Sequence, residues 1–156
     1  MDNAQLTVAV RLLLAVIAGS IIGLERTYHG RPAGFRTHTL VCTASSLLML
    51  LVLEQWQHMP AVATETIRLD PTRMAQGIMT GIGFLGAGVI MKEQFTIRGL
   101  TTAASIWATA AIGIVIGMGM YFAAALAALL TLGTLGVFRW IESNITMSHY
   151  GRLMMR

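Results

Sequence analysis

The stretch LERTYHGRPAGFRTHT, residues 24–39, places charged side chains and a Pro-Ala-Gly turn between two long apolar runs. Arginines next to the end of an apolar helix are typical of the cytoplasmic side of a membrane. An acidic residue at the lipid boundary is costly and therefore indicates a specific role. The candidate functional residues of this loop are Glu25, Arg26, Arg31, Arg36, Thr37 and His38.

Composition defines the broad class of the protein. The chain has 156 residues, of which 55% are hydrophobic and 12% charged, and its mean hydropathy is +0.68. An ordinary soluble domain is about 45–50% apolar, so these values indicate a protein of the lipid bilayer. The net charge of +4 is spread over short loops, which argues against a nucleic-acid partner. The single cysteine, Cys42, lies in an apolar run and is expected to be a buried small side chain.

Five apolar segments approach the roughly 20 residues that a membrane-spanning helix needs. They cover residues 6–24, 38–53, 70–91, 100–119 and 121–138, and the second starts nearer residue 33 if it crosses fully. Asp70 and Pro71 are typical of a helix N-cap and first turn. Residues 54–70 form the longest polar loop, with Trp56 as an interfacial anchor. We therefore predict an all-α membrane protein: a compact bundle of five transmembrane helices in residues 1–138, followed by a short cytoplasmic tail, 139–156.

Basic residues are unevenly divided between the two predicted sides of the membrane. Eight lie on one side: Arg26, Arg31, Arg36, Lys92, Arg98, Arg139, Arg152 and Arg156. Three lie on the other: Arg11, Arg68 and Arg73. The positive-inside rule then predicts an outside N-terminus and a cytoplasmic C-terminus. Arg11 is expected to anchor the first span at the interface, and its presence there also argues against a secretory signal peptide.

Polar side chains recur at helical spacing in three of the predicted spans. The stripes are Thr39, Thr43 and Ser46 on the second, Thr72, Gln76 and Thr80 on the third, and Thr102, Ser105 and Thr109 on the fourth. Interhelical hydrogen bonding accounts for such stripes. The alternative is a wet cavity for an ion or small polar solute, although no membrane-buried acid completes a cation site.

Glycines are densest in the third span, at Gly81, Gly83, Gly86 and Gly88. A phosphate loop is excluded because no Lys-Ser/Thr pair follows. Close packing and a helix break both remain open, and packing is favoured because a break would expose backbone groups to lipid. Gly-x-x-x-Gly pairs at 19/23, 77/81 and 113/117 likewise indicate a tight bundle.

Two polar faces follow from the predicted orientation. On the cytoplasmic side, Arg26, Arg31, Arg36 and Arg98 lie near Glu25 and Glu93, and Thr101 and Thr102 open the fourth span, where Thr101 is expected to be the cap. Asp70 and Arg73 lie on the outer side. Contact with anionic lipid accounts for a basic cluster; the more specific alternative is docking of an acidic protein segment or a phosphate-bearing ligand. The histidines His29, His38, His58 and His149 are divided between both sides, so no metal site or cofactor is predicted.

Three ordered segments of the chain are similar to the MgtC/SapB family of bacterial inner-membrane proteins. The first is GLER at 23–26 followed by RPAGFRTHTLVC at 31–42. The second leads from DPTR at 70–73 to GIGFLGAG at 81–88, and the third from RGLTTAA at 98–104 to WATAAIG at 107–113. Three motifs in the same order are far more specific than any one of them.

The resemblance implies a five-span domain associated with growth under low magnesium and, in pathogenic members, with survival inside macrophages. Family members are described as modulators of other membrane machinery, including the proton-driven ATP synthase, rather than as established magnesium transporters. Longer members carry an ACT-like cytoplasmic domain after the last span, and residues 139–156 are too few to form one. The segment YGRLMMR, 150–156, is compatible with the first strand of such a domain.

From these features we expect a non-enzymatic inner-membrane modulator. It would be a homo-oligomer that responds to magnesium limitation or acid stress, and supports intracellular survival, by binding another inner-membrane protein. The alternative is a transporter or channel for an ion or small polar solute through the stripes on the second, third and fourth spans. An enzyme is not expected, because the sequence offers no nucleophile with a matching base and no metal-ligand cluster.

Overall fold

The computed structural model of this chain describes residues 3–57 and 70–144. Within these ranges it contains five helices and one short hairpin: α1 (Asn3–Tyr28), α2 (Phe35–Gln57), α3 (Pro71–Val89), β1 (Met91–Glu93), β2 (Thr96–Arg98), α4 (Leu100–Gly117) and α5 (Tyr121–Asn144). The predicted helical bundle is confirmed, and the hairpin is a small departure from an all-α chain. The predictions for Arg68, His58, His149 and the Trp56 side chain, and for the tail beyond residue 144, lie outside the described residues.

Several helices continue beyond their predicted bounds. Helix α1 is about a turn longer at each end, α2 begins at Phe35 and ends at Gln57, and α5 runs to Asn144, into the predicted tail. The prediction that the polar loop starts at residue 54 is therefore wrong. Hydropathy marks only the apolar part of a helix, whereas the helix itself continues into polar surroundings until a cap or turn ends it.

Three helices of the described ranges are long and apolar enough to cross a membrane: Asn3–Tyr28, Phe35–Gln55 and Leu100–Gly117. A shorter apolar helical segment, Tyr121–Val137, follows them. Bulky apolar side chains on the outer faces, such as Leu13, Ile17 and Leu129, are more than half exposed. An apolar outer surface of this extent is typical of contact with lipid, so the chain is a membrane protein.

Helices α2 and α4 form the centre of the bundle. Helix α1 packs against both of them, α5 lies against α4 and α1, and α3 packs on α4 and, to a smaller extent, on α2. The main core consists of buried residues from α1, α2, α4 and α5, including Ala15, Ile22, Cys42, Ile112 and Ile116. Helix α3 is therefore at the edge of the bundle.

Glycines allow α1 and α4 to approach α2 from two sides. A Cβ atom added to Gly19 of α1 would lie 2.6 Å from the His38 carbonyl oxygen and 2.8 Å from Cys42 Cβ. One added to Gly113 of α4 would overlap the Cys42 carbonyl oxygen and lie 2.9 Å from Ser45 Cβ. Two of the three predicted Gly-x-x-x-Gly pairs thus mediate close helix packing, while Gly77 and Gly81 have open space around them in the described part of the chain.

The hairpin and Gly99 join α3 to α4. Strands β1 and β2 pair antiparallel with Met91 opposite Arg98, and Gly99 then has a φ of 91°. Gly99 is the N-cap of α4, without a side-chain hydrogen bond, so the prediction that Thr101 caps this helix is wrong. A Cβ on residue 99 would overlap the Val89 carbonyl. Only glycine fits this combination of left-handed backbone and close contact.

The opposite end of the bundle, where α3 begins, is fixed by two local arrangements. The carboxylate of Asp70 accepts hydrogen bonds from the Thr72 amide at 2.9 Å and the Thr72 hydroxyl at 2.6 Å, which confirms the predicted N-cap. Arg11 donates to the Gly117 carbonyl oxygen at 2.8 Å and to the Tyr121 hydroxyl at 3.3 Å. Arg11 thus ties α1 to the turn between α4 and α5.

Replacing Gly113 tests the close approach of α2 and α4. Gly113→Ala puts a methyl group against the α2 backbone, and we expect a loss of about 1–3 kcal/mol, as for other overpacked cores. The measurement is the temperature at which the detergent-solubilised protein loses its monodisperse peak in size-exclusion chromatography. Gly133→Ala on α5 is the matched control, because among the described residues nothing lies within 4 Å of its added Cβ; equal losses in the two variants would contradict the packing assigned here.

The Asp70 cap gives a pH-dependent stability. The hydrogen bonds from the Thr72 hydroxyl and then the Thr72 amide hold the pKa of the Asp70 carboxyl below its usual value, so the cap stabilises α3 above the ordinary carboxyl pKa of about 4. This contribution is lost as the pH falls through the lowered pKa. Asp70→Ala is therefore expected to melt earlier than wild type at pH 7, with the difference vanishing in acid. A difference that persists at low pH would rule out the carboxylate as its source.

Candidate functional site

A buried polar network lies at the hairpin end of the bundle, where α1 ends, α2 begins and the hairpin leads into α4. The side chain of Arg26 is fully buried, and its Nη2 donates to Thr102 Oγ1 at 3.2 Å. Arg26 follows Ala15, Gly19 and Ile22 on the inward face of α1. Because removing a charge from water is costly unless polar partners surround it, this contact fixes where the end of α1 sits on α4.

His38 extends the network to α2. Its ring is fully buried, with Nδ1 3.0 Å from the Gly34 carbonyl oxygen and Nε2 3.1 Å from Ser105 Oγ. Since a carbonyl oxygen only accepts, Nδ1 carries a hydrogen and donates to it. In the neutral ring Nε2 is an acceptor, so Nε2 and the Thr102 carbonyl oxygen, 2.8 Å from Ser105 Oγ, share the single hydrogen that the Ser105 hydroxyl donates. Arg26, His38, Thr102 and Ser105 are hereafter the buried polar network.

An open cavity of about 500 Å³ lies beside this network. It is lined by the α1–α2 turn, the end of β2 and the first turn of α4: Gly30, Arg31, Pro32, Ile97, Arg98, Gly99, Leu100, Thr101 and Thr102. We call it the basic pocket. Arg31 is exposed at its edge, and the first turn of α4 has a glycine N-cap that gives its amide groups no side-chain acceptor. Guanidinium groups next to a helix N-terminus favour carboxylate or phosphate ligands.

Acidic side chains lie close to both parts of the site. Glu25 Oε2 is 3.9 Å from Arg26 Nη1, and Glu25 Oε1 is 3.1 Å from His29 Nδ1. Glu93 Oε2 is 3.2 Å from Arg98 Nη1, and both of these side chains are more than half exposed. An exposed ion pair of this kind contributes little to stability. The ion pair therefore keeps Arg98 near the pocket but contributes little to the stability of the fold.

The residues of the predicted cytoplasmic cluster thus fall into three groups: those in the buried polar network, those that line the basic pocket, and those in neither. Arg26, His38 and Thr102 belong to the buried polar network, while Arg31, Arg98 and Thr101 line the basic pocket, which Thr102 also reaches. Arg36 is exposed and Thr37 half-buried on the first turn of α2, and neither lines the pocket. Asp70 and Arg73 are at the opposite end of the bundle, so the site does not include them.

The predicted polar stripes do not share one cavity in a single copy of the chain. Ser105 and Thr109 of α4 are buried, and so is Cys42 of α2. Thr39 of α2 instead faces α1, with its Oγ1 3.1 Å from Ser20 Oγ. The stripe of α3, formed by Thr72, Gln76 and Thr80, is exposed on the side away from the bundle.

The glycine-rich segment of α3 is part of a continuous helix. Gly86 is buried and packs towards Ala103, at 3.7 Å from an added Cβ. Gly81, Gly83 and Gly88 are exposed, and no described residue lies within 4 Å of a Cβ added to any of them. Of these glycines, only Gly86 has a described residue of the same copy within 4 Å of an added Cβ.

Two contacts that fix the ends of the helices were not found by sequence reasoning. Thr27 accepts a hydrogen bond from the Phe35 amide at 2.8 Å and so closes the α1–α2 turn. Arg11 pairs with residues of α4 and α5 that are distant in sequence. A charge inside an apolar run marks Arg11 as unusual, but the sequence around Arg11 does not indicate which residues it contacts. In the described ranges, no three His, Cys, Asp or Glu side chains are grouped as a metal site requires.

Apolar outer faces around a core with one polar end define a small helical membrane protein. The chain belongs to the MgtC family, whose family model matches residues 12–144. No solved structure matches this chain.

Bacterial relatives are about two fifths identical to this chain over the aligned segments. It is 42% identical over 141 residues to YhiD of Escherichia coli K12, which is provisionally named a magnesium transporter, covering 90% of this chain and 65% of YhiD. Protein SrpB of Synechococcus elongatus is 39% identical over 145 residues, covering 88% and 78% of the two chains. Protein MgtC of Salmonella typhimurium LT2 is 41% identical over 112 residues, covering 72% and 44%. The chain therefore spans less than two thirds of YhiD and under half of that MgtC.

Two neighbouring threonines test the buried polar network. Thr102→Val removes the hydroxyl that accepts from Arg26, and we expect a loss of about 1–3 kcal/mol because a hydrogen bond to a buried charge is broken. Thr101→Val, one residue earlier but exposed, is expected to change stability by less than about 0.5 kcal/mol. Thermal unfolding in detergent compares the two variants. If Thr101→Val were as harmful as Thr102→Val, the hydroxyl contact would not be the cause.

Proposed function

We propose that this protein is a non-enzymatic modulator of the bacterial inner membrane that binds other membrane machinery, such as the ATP synthase, through its basic pocket. The role would be exerted under magnesium limitation or acid stress and in support of intracellular survival. The observation that carries the proposal is that Arg31 and Arg98, from two different segments of the chain, line one open pocket. Membership of the MgtC family and the provisional name of YhiD support the link to magnesium.

The chemistry of the pocket suits an acidic protein segment. Arg31 and Arg98 present planar donors that pair with carboxylates, and the uncapped first turn of α4 adds positive potential. The buried polar network supports this arrangement, because Arg26 and Thr102 hold α1 and α4 at a fixed distance directly beside the pocket. A preorganised surface loses less conformational entropy when a partner binds.

The proposed topology has five membrane-spanning helices, an outside N-terminus and the hairpin end in the cytoplasm. Within the described ranges, the hairpin end carries Arg26, Arg31, Arg36, Lys92 and Arg98. The opposite end carries Arg11 and Arg73. This asymmetry favours a cytoplasmic hairpin end, where the pocket is accessible to cytoplasmic segments of other membrane proteins.

The alternative is a transporter or channel for an ion or small polar solute. The name of YhiD and the buried hydroxyls of α4 favour it. Against it, the α3 stripe faces away from α2 and α4, so one copy has no cavity that all three stripes line. We therefore rank the modulator first.

Charge reversal in the pocket tests the proposed binding surface. The double variant Arg31→Glu, Arg98→Glu is expected to lower the amount of ATP synthase that co-purifies from solubilised membranes at least tenfold, because carboxylates then repel the acidic segment. Arg73→Glu is the control, since it makes a comparable change at the far end of the bundle. Reduced capture by the control as well would show that net charge, rather than the pocket, governs association.

A flux measurement separates the two candidate functions. Wild-type protein in liposomes that contain a magnesium-sensitive dye is expected to give the same signal as empty liposomes. Saturable magnesium flux that is lost in Thr109→Val would overturn the modulator and support transport, because Thr109 lies in the buried α4 stripe. Circular dichroism of the reconstituted variant confirms that it remains folded.

A further inference from the structure

The outer face of α3 differs from the other outer faces of the bundle. Gln76, Thr80, Gly83 and Ala87 follow one another at intervals of four, three and four residues, which places them in a single stripe along the helix. All four are exposed, on the side of the helix opposite the buried Ile78. The outer faces of α1 and α5 instead carry Leu, Ile and Phe side chains. This stripe of α3 is therefore polar and small, in contrast to the bulky apolar outer faces of α1 and α5, and the exposed Phe84 lies on α3 beside it.

Such a surface is unfavourable against lipid. The amide of Gln76 has both donors and an acceptor, and lipid tails satisfy none of them. Small residues, in contrast, let two helices approach closely and are enriched where helices pack within membranes. Gly83 has open space around it among the described residues, so its lack of a side chain serves no contact within this copy.

We propose that this face of α3 is the interface of a homodimer, in which α3 packs against α3 of a second copy about a two-fold axis along the membrane normal. The proposal rests on the five-span topology, because it needs α3 to cross the bilayer. Two copies inserted in the same orientation have parallel α3 helices, so each residue near the axis faces its own equivalent. The alternation of three- and four-residue intervals favours a left-handed crossing of about 20°.

A second copy is the occupant that this surface fits because the surface complements itself. An amide can donate to and accept from an identical amide at the same depth, so paired Gln76 side chains satisfy each other. The Thr80 hydroxyl already donates to the Gln76 carbonyl oxygen at 2.8 Å, so it adds a small, internally satisfied group to the interface. At the outer end each copy carries one carboxylate, Asp70, and one guanidinium, Arg73. These two charges cancel within each copy, so this end of the interface carries no net charge from them.

Cysteine crosslinking in native membranes tests the interface. In a Cys42→Ala background, which removes the only native thiol, Thr80→Cys is expected to form a disulfide-linked dimer after oxidation with copper phenanthroline. Leu129→Cys is the matched control, because it is exposed on α5 at a similar depth, roughly two to three turns in from the same end. No dimer from Thr80→Cys, or equal amounts from both variants, would overturn the proposal.

Labelling the same variants separates failure of the interface from failure of the topology. A membrane-impermeant maleimide is expected to leave Thr80→Cys unmodified in intact membranes. Rapid labelling would mean that α3 does not span the bilayer, which would contradict both the five-span topology and the proposed dimer interface. No labelling combined with no crosslink would overturn the interface alone.

Substitutions within the stripe give a second, independent measurement. Gln76→Leu removes the reciprocal hydrogen bonds, and Gly83→Ile adds bulk at the closest approach of the two helices, at a position where no described residue lies within 4 Å of an added Cβ. Fluorescence energy transfer between labelled copies, measured over a dilution series in lipid vesicles, is expected to show dimers weakened about five- to tenfold by Gln76→Leu and more strongly by Gly83→Ile. Unchanged dissociation in both variants would overturn the proposal.

Discussion

The close approach of α2 to two glycine-bearing helices is the constraint on which the rest of the structure depends. Gly19 of α1 and Gly113 of α4 bring both helices to backbone contact with α2 around Cys42. Lipid provides no hydrophobic drive for helices to associate, so dense packing has to supply much of the stability. Because the helices are this close, side chains as short as Ser, Thr and His can form hydrogen bonds between neighbouring helices. The contact between His38 and Ser105, at 3.1 Å, joins two of these closely packed helices.

The buried polar network converts this packing into a defined site. Arg26 lies on the buried face of α1, and its buried guanidinium needs a polar group opposite, so its burial specifies which residues of α4 face it. Thr102 and Ser105 belong to the helix whose first turn lines the basic pocket. The network and the pocket therefore share α4, and a displacement of that helix would alter both. The opposite end is fixed separately, by Arg11 and by the Asp70 cap.

A structural feature was predictable from the sequence when the residues that determine it are close together in the chain. The N-cap at Asp70 was predictable because its partner, Thr72, is two residues away. The cap of α4 was predicted wrongly, because Gly99 is required by a contact with Val89 that forms only after the hairpin has folded. Spacing identified the stripes of α3 and α4 equally well, yet one faces outwards and the other is buried. Periodicity indicates that one face of a helix is polar. Whether that face points into the bundle or away from it depends on packing between segments that are distant in sequence.

The lengths of the helices have a consequence for the bilayer. Helix α4 has 18 residues and α1 has 26, which at 1.5 Å per residue correspond to about 27 Å and 39 Å. With α4 at the centre of the bundle, the proposed topology matches a hydrocarbon layer at or slightly below the usual thickness of about 30 Å. The longer α1 then has to tilt or project from the layer. The bundle is accordingly expected to be best accommodated in thin membranes, and a thicker bilayer would strain its shortest helix first.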